Sequence, residues 1–311
     1  MLKRLAFKKT IIVSLSFFFL LIIYLFPSTD TKYNINTTVS YTNPKTIPIY
    51  LIDDNNYVSR IEIIKKSENS LDLIDEVINN LTIDSKSSSH VPNQFKKIIP
   101  KDTKIISKEL ESGLLKINFS KELLNVTIDN EEKMIEAIIF SLTEIKDIKK
   151  IMIFVEGQNL KELPNSKKIL PLILDRTFGI NKIYELESMK DVSKVTTYYV
   201  SKTDNYSYYI PITSISNSKS EKVEIIIEKL KTSPTYDVNL VSYLTVSAEL
   251  LNYEILENSI NLSFNNEVLS LDENKIIEEV KYSIALSIRD TYDINETIFY
   301  VDNMLIDALF I

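Results

Sequence analysis

The sequence predicts an α+β protein in which an N-terminal transmembrane helix precedes two tandem copies of one ββαββαβ domain. Each copy is expected to be a mostly antiparallel sheet covered by two helices. Three observations predict this arrangement. There is a long uncharged apolar run near the N-terminus, the apolar periodicity alternates between two and three-to-four residues along the rest of the chain, and the same pattern returns about 145–149 positions later.

Residues 10–27 have the length and composition of a membrane-spanning helix. The uncharged part, Thr10 to Phe26, would extend about 26 Å as a helix, close to the roughly 30 Å of a hydrocarbon core. Four basic residues precede it: Lys3, Arg4, Lys8 and Lys9. Because basic residues favour the cytoplasmic side, residues 1–9 are expected in the cytoplasm and residues 28–311 outside it.

A cleaved signal peptide is the alternative interpretation of this run. Signal peptides usually have a shorter apolar core that ends at an Ala-x-Ala-like site. The segment that follows here, Leu25–Asp30, contains no Ala. An uncleaved single-pass anchor in the cytoplasmic membrane is therefore favoured.

Structure is predicted to begin after a polar tether over residues 28–45. Two strands, 47–52 and 57–64, flank Asp53–Asn56, whose residue types tolerate turn geometry and indicate a hairpin. An amphipathic helix follows, capped by Asn69 or Ser70. Its apolar residues recur at three- and four-residue intervals: Leu71, Ile74, Val77, Ile78 and Leu81.

The hairpin and helix return at an offset of 149 positions, and a later strand returns at an offset of 145. Residues related by the first offset include Tyr57 and Tyr206, Ile61 and Ile210, Ile63 and Ile212, and Leu81 and Leu230. Residues related by the second are Leu115 and Ile260, Ile117 and Leu262, and Phe119 and Phe264. Gly113 falls on Asn258, an exchange that would preserve a turn with positive φ.

Each copy then continues with a longer helix and a last strand. The strands, 151–155 and 297–301, are followed by Glu156-Gly157 in the first copy and by Asp302-Asn303 in the second, another Gly-to-Asn exchange. The predicted domains are residues 46–176 and the divergent residues 195–311, joined by a charged connector over 177–194.

Composition excludes several kinds of chemistry. The chain has no Cys, one His and three widely spaced Gly, which excludes thiol nucleophiles, disulfides, Cys-based zinc sites and glycine-rich phosphate loops. A net charge of −7 provides no positive field for nucleic acid. The sequence therefore predicts no catalytic residue, no cofactor site, no metal site and no nucleic-acid partner.

The polar residues that stand out have ordinary explanations. His90 lies in a serine-rich loop, and a solvated or locally bonded imidazole is expected there. Acidic groups occur at turns, helix starts and polar helix faces, where capping and solvation account for them. They are Asp53-Asp54, Asp129 with Glu131 and Glu132, and Glu278-Glu279.

A tyrosine cluster on the first hairpin of the second copy is harder to dismiss. Strand alternation places Tyr199 and Tyr208 opposite their buried neighbours, so that their rings would be exposed. Together with Tyr206 they form a candidate partner interface, because aromatic residues are enriched at such surfaces. The alternative is that these rings pack against the first domain.

The first copy resembles the GerMN domain of bacterial sporulation and spore germination proteins. Ile99–Ile105 is similar to that family's "IP-x-G-T-K" approach to a strand, and Gly113–Leu123 to its "G-x-x-x-V-D-F-S-x-E-L" segment. Ser141–Glu144 and Phe154–Gly157 resemble its "T-L-T-E" helix and "V-D-G" final turn. In the second copy the Pro-containing approach is absent, and Ala285–Ser287 is the best match to "T-L-T".

The resemblance implies an α+β unit similar to the ring-building modules of secretion and sporulation channels, acting in the envelope between mother cell and forespore. It implies no enzymatic residues. Relatives are held by a lipidated cysteine, whereas this chain has no Cys and is expected to use residues 10–27.

These observations predict a non-enzymatic, membrane-anchored scaffold or assembly protein of sporulation or germination that acts through protein–protein contacts. The expected partners are envelope or sporulation proteins, and a homo-oligomer or ring is left open. The alternative function is an envelope protein that binds or modifies cell-wall material outside sporulation.

Overall fold

The computed structural model describes residues 45–85, 91–203, 206–234, 237, 239–270 and 275–311, together with the isolated positions Leu15 and Phe18. Residues 44–311 form one compact unit. Apart from those two positions, the predicted anchor over residues 10–27 lies outside the described residues. Within the part of the chain that is described, no helix is both long and apolar enough to cross a membrane.

The first copy, called repeat 1, has the predicted order of elements and one additional short strand. The elements are β1 (Thr46–Ile52), β2 (Val58–Ile64), α1 (Ser70–Leu81), β3 (Ile105–Glu111), β4 (Leu114–Phe119), α2 (Glu131–Leu142), β5 (Lys150–Val155) and β6 (Gln158–Asn159). Asn69 caps α1, since its side chain accepts hydrogen bonds from the backbone N–H groups of Leu71 and Asp72 at 2.9 and 3.3 Å. This confirms one of the two predicted caps.

The second copy, repeat 2, follows a short strand in the connector, β7 (Ile183–Glu185). Its elements are β8 (Ser193–Lys202), β9 (Ser207–Ser216), α3 (Lys222–Leu230), β10 (Leu250–Ile255), β11 (Ser259–Phe264), α4 (Glu278–Tyr292), β12 (Glu296–Val301) and β13 (Met304–Phe310). The repeated order of strands and helices is therefore confirmed, and the final strand is much longer in repeat 2.

The first hairpin of each repeat joins a single central sheet. Its order is β1-β2-β9-β8, and β7 lies beside β9 in parallel. The β2 and β9 strands are antiparallel and meet at Arg60 and Tyr209. The sheet therefore crosses from one repeat to the other, with the outer strands β1 and β8 in equivalent positions.

The remaining strands of each repeat form a separate four-stranded sheet. The orders are β3-β4-β5-β6 and β10-β11-β12-β13, each with one parallel pair between two antiparallel pairs. The expectation of one sheet per repeat is thus wrong. Periodicity identifies strands but carries no information on which strands pair, and here the hairpin of each repeat finds its partner in the other repeat.

The connector between the repeats is part of the central sheet. The side chain of Asn181 accepts a hydrogen bond from Val58 N at 2.9 Å and donates to Val58 O and Pro211 O at 2.8 Å each. Asn181 therefore bridges β2 and β9 beyond their single paired position. Just before it, Gly179 has φ +82, and a Cβ there would meet Thr213 Cγ2 at 3.0 Å, so both conformation and space favour glycine.

One of the two predicted Gly-to-Asn exchanges is confirmed. Glu156-Gly157 and Asp302-Asn303 all have positive φ, so both copies make the same tight turn after the last predicted strand. The other is wrong: Gly113 has φ +82, but Asn258 is not among the residues with positive φ. The loop between β10 and β11 is one residue longer than that between β3 and β4, so the two loops differ in backbone geometry.

We predict that Asn181→Gly lowers the free energy of unfolding by about 2–3 kcal/mol, because three bridging hydrogen bonds in the central sheet are lost. Glycine keeps the positive φ that Asn181 adopts, so backbone strain does not contribute. The measurement is urea denaturation followed by circular dichroism.

The matched control is Asn217→Gly. The side chain of Asn217 makes four hydrogen bonds, one more than that of Asn181, but all of them hold an exposed loop over residues 187–190. We expect this variant to lose about 1 kcal/mol or less. Equal losses for the two variants would contradict the assigned role of Asn181.

Candidate functional site

Residues at equivalent positions of the two repeats meet at the centre of the molecule. Arg60 and Tyr209 differ by the 149-residue offset and face each other across β2 and β9. The hydroxyls of Tyr50 and Tyr198, which differ by 148 positions, lie 3.0 Å apart. Corresponding elements of the two repeats therefore meet each other, and the centre of the strand order β1-β2-β9-β8 lies on an approximate local two-fold axis.

Two carboxylates and two guanidinium groups surround the tyrosine pair, and we call these six side chains the axial cluster. Its members are Tyr50, Tyr198, Glu144, Asp290, Arg176 and Arg289. The Tyr50 hydroxyl donates to Glu144 at 2.9 Å and the Tyr198 hydroxyl donates to Asp290 at 2.5 Å. Each tyrosine thus contacts the acid of its own repeat and the tyrosine of the other.

The two arginines link the acids across the axis. Arg289 of repeat 2 donates to both Glu144 oxygens, at 3.0 and 2.7 Å. Arg176, at the end of repeat 1, donates to Glu144 at 3.0 Å, and its Nε lies 2.9 Å from Asp290. That Nε contact has ion-pair distance without hydrogen-bond direction.

The axial cluster is neutral and nearly closed to solvent. The side chains of Asp290, Glu144, Arg289 and Arg176 are 1, 6, 11 and 17% exposed. Charges buried this deeply are tolerated only with partners and hydrogen bonds. Here two negative charges balance two positive charges, so the sum of the buried charge is zero.

The pKa values express this balance. Burial alone would raise the pKa of Glu144, but Arg289 and Arg176 outweigh burial and lower it to about 2. Burial, reinforced by Glu144, raises the pKa of Tyr50 to about 12, and burial together with Asp290 raises the pKa of Tyr198 well above its ordinary value. The acid is held ionised and the tyrosines are held protonated, which is the arrangement of a stable contact.

A serine on each long helix closes the outer edge of the central sheet. Tyr50 N donates to Ser141 Oγ at 2.9 Å and Tyr198 N donates to Ser287 Oγ at 3.0 Å. Ser141 begins the family-like segment Ser141–Glu144, so its counterpart is Ser287–Asp290. The expected counterpart Ala285–Ser287 is therefore out of register by two positions. The corrected alignment places Arg289 on Thr143.

A second contact between the repeats involves the tyrosine cluster. Asp53 Oδ2 accepts hydrogen bonds from Tyr208 and Ser59, each at 3.0 Å. The ring of Phe95 lies 5.0 Å from that of Tyr208 and 6.3 Å from that of Tyr206. The alternative that these rings pack against repeat 1 is confirmed for Tyr206 and Tyr208.

The expectation that Tyr199 and Tyr208 are exposed is wrong. They are 4 and 6% exposed, and the Tyr199 hydroxyl donates to Lys229 O on α3 at 3.2 Å. Seven successive residues of β8 are buried, which shows that both faces of the strand are covered. Alternation predicts an exposed face only when one side is open to solvent. Tyr206 remains half-buried, and its role as a partner contact stays a prediction.

The other candidate residues from the sequence do not form a catalytic or metal-binding group within the described residues. His90 lies outside the described residues. Within those residues, no group of three or more His, Cys, Asp or Glu side chains is arranged to hold a metal ion. Glu131 is buried and accepts the backbone N–H groups of Asn165 and Ser166 at 2.7 and 2.9 Å, so it anchors a loop.

The scarcity of arginine in the sequence is a signal for the axial cluster. The chain has 32 Lys but only four Arg. Of the four, Arg176 and Arg289 belong to the cluster, and Arg60 is buried on the axis. Arginine presents a planar set of donors that can serve two carboxylates at once, which lysine cannot do.

Comparison with known proteins agrees with the tandem architecture. The Germane family model, described as sporulation and spore germination, matches residues 48–161. The spore germination protein GerM of Bacillus subtilis (strain 168) is 27% identical over 255 residues, which cover 79% of this chain and 68% of that protein. The solved structure of the tandem GerMN domains of the sporulation protein GerM from Bacillus subtilis has a TM-score of 0.74 at 25% identity, covering 84% of this chain and 92% of that chain.

We predict that Glu144→Gln lowers the free energy of unfolding by about 3–5 kcal/mol, because it leaves two buried guanidinium groups with one carboxylate. Tyr50→Phe is the control, since it keeps all four charges and loses one hydroxyl. We expect it to cost about 1–3 kcal/mol. Denaturant unfolding measures both, and a larger loss for the phenylalanine variant would contradict the electrostatic account.

The Glu144 contribution should also depend on pH. Its pKa is about 2 in the folded chain against an ordinary 4.5, so the folded state binds this proton less tightly than the unfolded state. The stability it supplies is full above pH 4.5 and is lost as the pH falls towards 2. The difference in unfolding free energy between the wild-type chain and Glu144→Gln should therefore shrink over that range. The Tyr50→Phe difference should show no such decline.

Proposed function

We propose that this chain, which belongs to the family of sporulation and spore germination proteins with GerMN domains, is a non-enzymatic assembly protein of spore formation or germination. It acts through protein–protein contacts outside the cytoplasmic membrane, to which residues 10–27 attach it. The likeness to GerM over most of the chain is the observation that carries the role in sporulation.

The union of the two repeats supports the scaffold role. The central sheet, the axial cluster and the Asp53–Tyr208 contact all join repeat 1 to repeat 2. A protein built in this way holds two surfaces at a fixed distance, because neither repeat can turn without breaking buried contacts. A fixed spacing of surfaces suits a protein that positions partners.

One exposed apolar segment on repeat 1 is a suitable contact surface for a protein partner. Ile169, Leu172 and Ile173 are 83, 57 and 43% exposed, whereas Leu170 and Leu174 between and after them are buried. Leu174 is fixed to β5 by two hydrogen bonds with Ile151, at 2.8 and 2.9 Å. Apolar side chains held outward by a rigid support are typical of protein contacts.

We predict that deleting the gene in the organism that encodes this chain lowers spore yield or slows germination, and that the wild-type gene restores both. Complementation with Ile169→Asp/Leu172→Asp should fail, because two carboxylates would have to be buried in the contact. Spore counts and germination rates are the measurement, with immunoblots to show that the protein accumulates.

Met189→Asp/Val192→Asp is the matched control. Met189 and Val192 are also exposed apolar residues, 87 and 45%, but they lie on the connector. This allele should complement fully. Normal sporulation and germination of the deletion strain would contradict the proposed function. Full complementation by both double variants would contradict only the proposed role of the exposed apolar segment as a contact surface.

A further inference from the structure

A groove lies between α3 and the central sheet in repeat 2. Its volume is about 520 Å³, and its walls come from β7, β8, β9, α3 and the turn after α3. Carboxylates and hydroxyls dominate the lining, which includes Glu185, Glu224, Glu228, Ser214 and Ser216. The lining also contains the ammonium group of Lys229, which is paired with Glu185 at 2.8 Å. The groove is therefore polar and negatively charged.

Ser214 places a hydroxyl without a partner in this groove. The residue is 5% exposed, and its Oγ makes no hydrogen bond with the described residues. The unpaired polar atoms that are sealed from solvent belong to other residues, so the Ser214 hydroxyl is accessible from the groove. A buried polar group without a protein partner is uncommon and is usually satisfied by a bound molecule or water.

Repeat 1 carries an ammonium group at the position of Ser214. The offset of 149 that relates the two hairpins places Lys65 on Ser214. Strand alternation puts Lys65 on the face of Ile63, and Ser214 on the face of the equivalent Ile212. The Lys65 ammonium is paired with Glu68 at 2.7 Å. The exchange of a long cation for a short hydroxyl removes an ammonium group from repeat 2 and leaves space.

A second ammonium group is lost beside α3. The offset of 149 places Asp75 of α1 on Glu224 of α3, and Asp75 forms an ion pair with Lys108 of β3. The offset of 145 and the strand register place Tyr253 on Lys108. Glu224 makes no ion pair with the described residues. At two positions, repeat 1 thus supplies an ammonium group that repeat 2 lacks.

The composition of the two repeats agrees with a cationic ligand. Residues 46–176 include 21 acidic and 19 basic residues, whereas residues 195–311 include 18 acidic and eight basic ones. An excess of negative charge attracts cations. A metal ion suits the groove less well, because no group of three or more His, Cys, Asp or Glu among the described side chains is arranged to hold one. An ammonium group has three N–H donors, which hydroxyls and carboxylates can both accept.

We propose that this groove binds an alkylammonium ligand, with Glu224 balancing its charge and the Ser214 hydroxyl accepting one of its N–H donors. The aliphatic part of the ligand packs on Ile225 and Pro234, which also line the groove. Two sources present this chemistry, a free polyamine and the lysine side chains of a partner protein. The inference does not depend on the role in sporulation, because binding can be measured on the purified chain.

Isothermal titration calorimetry of the full-length chain in a non-ionic detergent tests the proposal, with spermidine in one arm and trilysine in the other. We expect a Kd on the order of 0.1–1 mM for at least one of them. Glu224→Gln should weaken binding about fivefold, and it should not disturb folding because Glu224 is exposed. Ser214→Lys restores the residue of repeat 1 and should weaken binding about tenfold or more, since its own ammonium would occupy the groove.

Glu221→Gln is the matched control. Glu221 precedes α3, is exposed and is not among the lining residues, so this variant removes the same charge outside the groove. It should leave the Kd within about twofold of the wild-type value. Raising the salt concentration from about 0.1 to about 1 M should weaken binding, because the ligand is charged.

Binding of spermidine alone, weakened by Glu224→Gln, would support the proposal and assign a free polyamine. Binding of trilysine alone, weakened in the same way, would support it and assign lysine side chains of a partner. Failure of both ligands to bind would overturn it. Equal losses in Glu224→Gln and Glu221→Gln would also overturn it, because they would indicate general attraction to the acidic repeat, as would binding that Glu224→Gln leaves unchanged.

Discussion

The neutral cluster of four charges on the local two-fold axis is the constraint on which the tandem arrangement depends. Removing a carboxylate and a guanidinium from water costs several kcal/mol each, and the cost is recovered only while all partners are in place. Glu144 and Arg176 come from repeat 1, and Asp290 and Arg289 come from repeat 2. Separation of the repeats would break the Glu144–Arg289 and Arg176–Asp290 pairs together. The protein is therefore expected to unfold cooperatively as one unit.

The cluster also shows how a duplicated domain can depend on an asymmetric residue. The position of Arg289 in repeat 2 is occupied by Thr143 in repeat 1. A symmetric pair would need a second arginine there. Instead Arg176, from the segment that follows β6 at the end of repeat 1, donates to Thr143 Oγ1 at 3.1 Å and lies over the ring of Phe140 at 4.6 Å. That segment thereby supplies the second cation, so each repeat contributes one acid and one arginine to the cluster.

The sequence was enough to predict single helices and strands. It was not enough to predict the strand pairing that joins the two repeats. The spacing of Ile74, Val77 and Ile78 and the alternation of Leu115, Ile117 and Phe119 were enough to identify α1 and β4, because each follows from the period of its own element. The pairing of β2 with β9 could not be read in this way. The residues of β8 and β9 are buried on both faces of the central sheet, which is also why the exposure of Tyr199 and Tyr208 was mispredicted.

The candidate site also contains features that the sequence predicts and features that depend on how the repeats assemble. The pairing of equivalent tyrosines could have been suspected from the offset of 148 between Tyr50 and Tyr198 and from the scarcity of arginine, but their meeting requires the axis, which is a property of the assembled sheet. In contrast, the outer sheets lie away from the axis and are free to differ: Lys116 on one side corresponds to Asn261 on the other. The residues on the axis must match because the two repeats contact each other there, whereas the residues of the outer sheets need not match. One rigid protein therefore has two different surfaces.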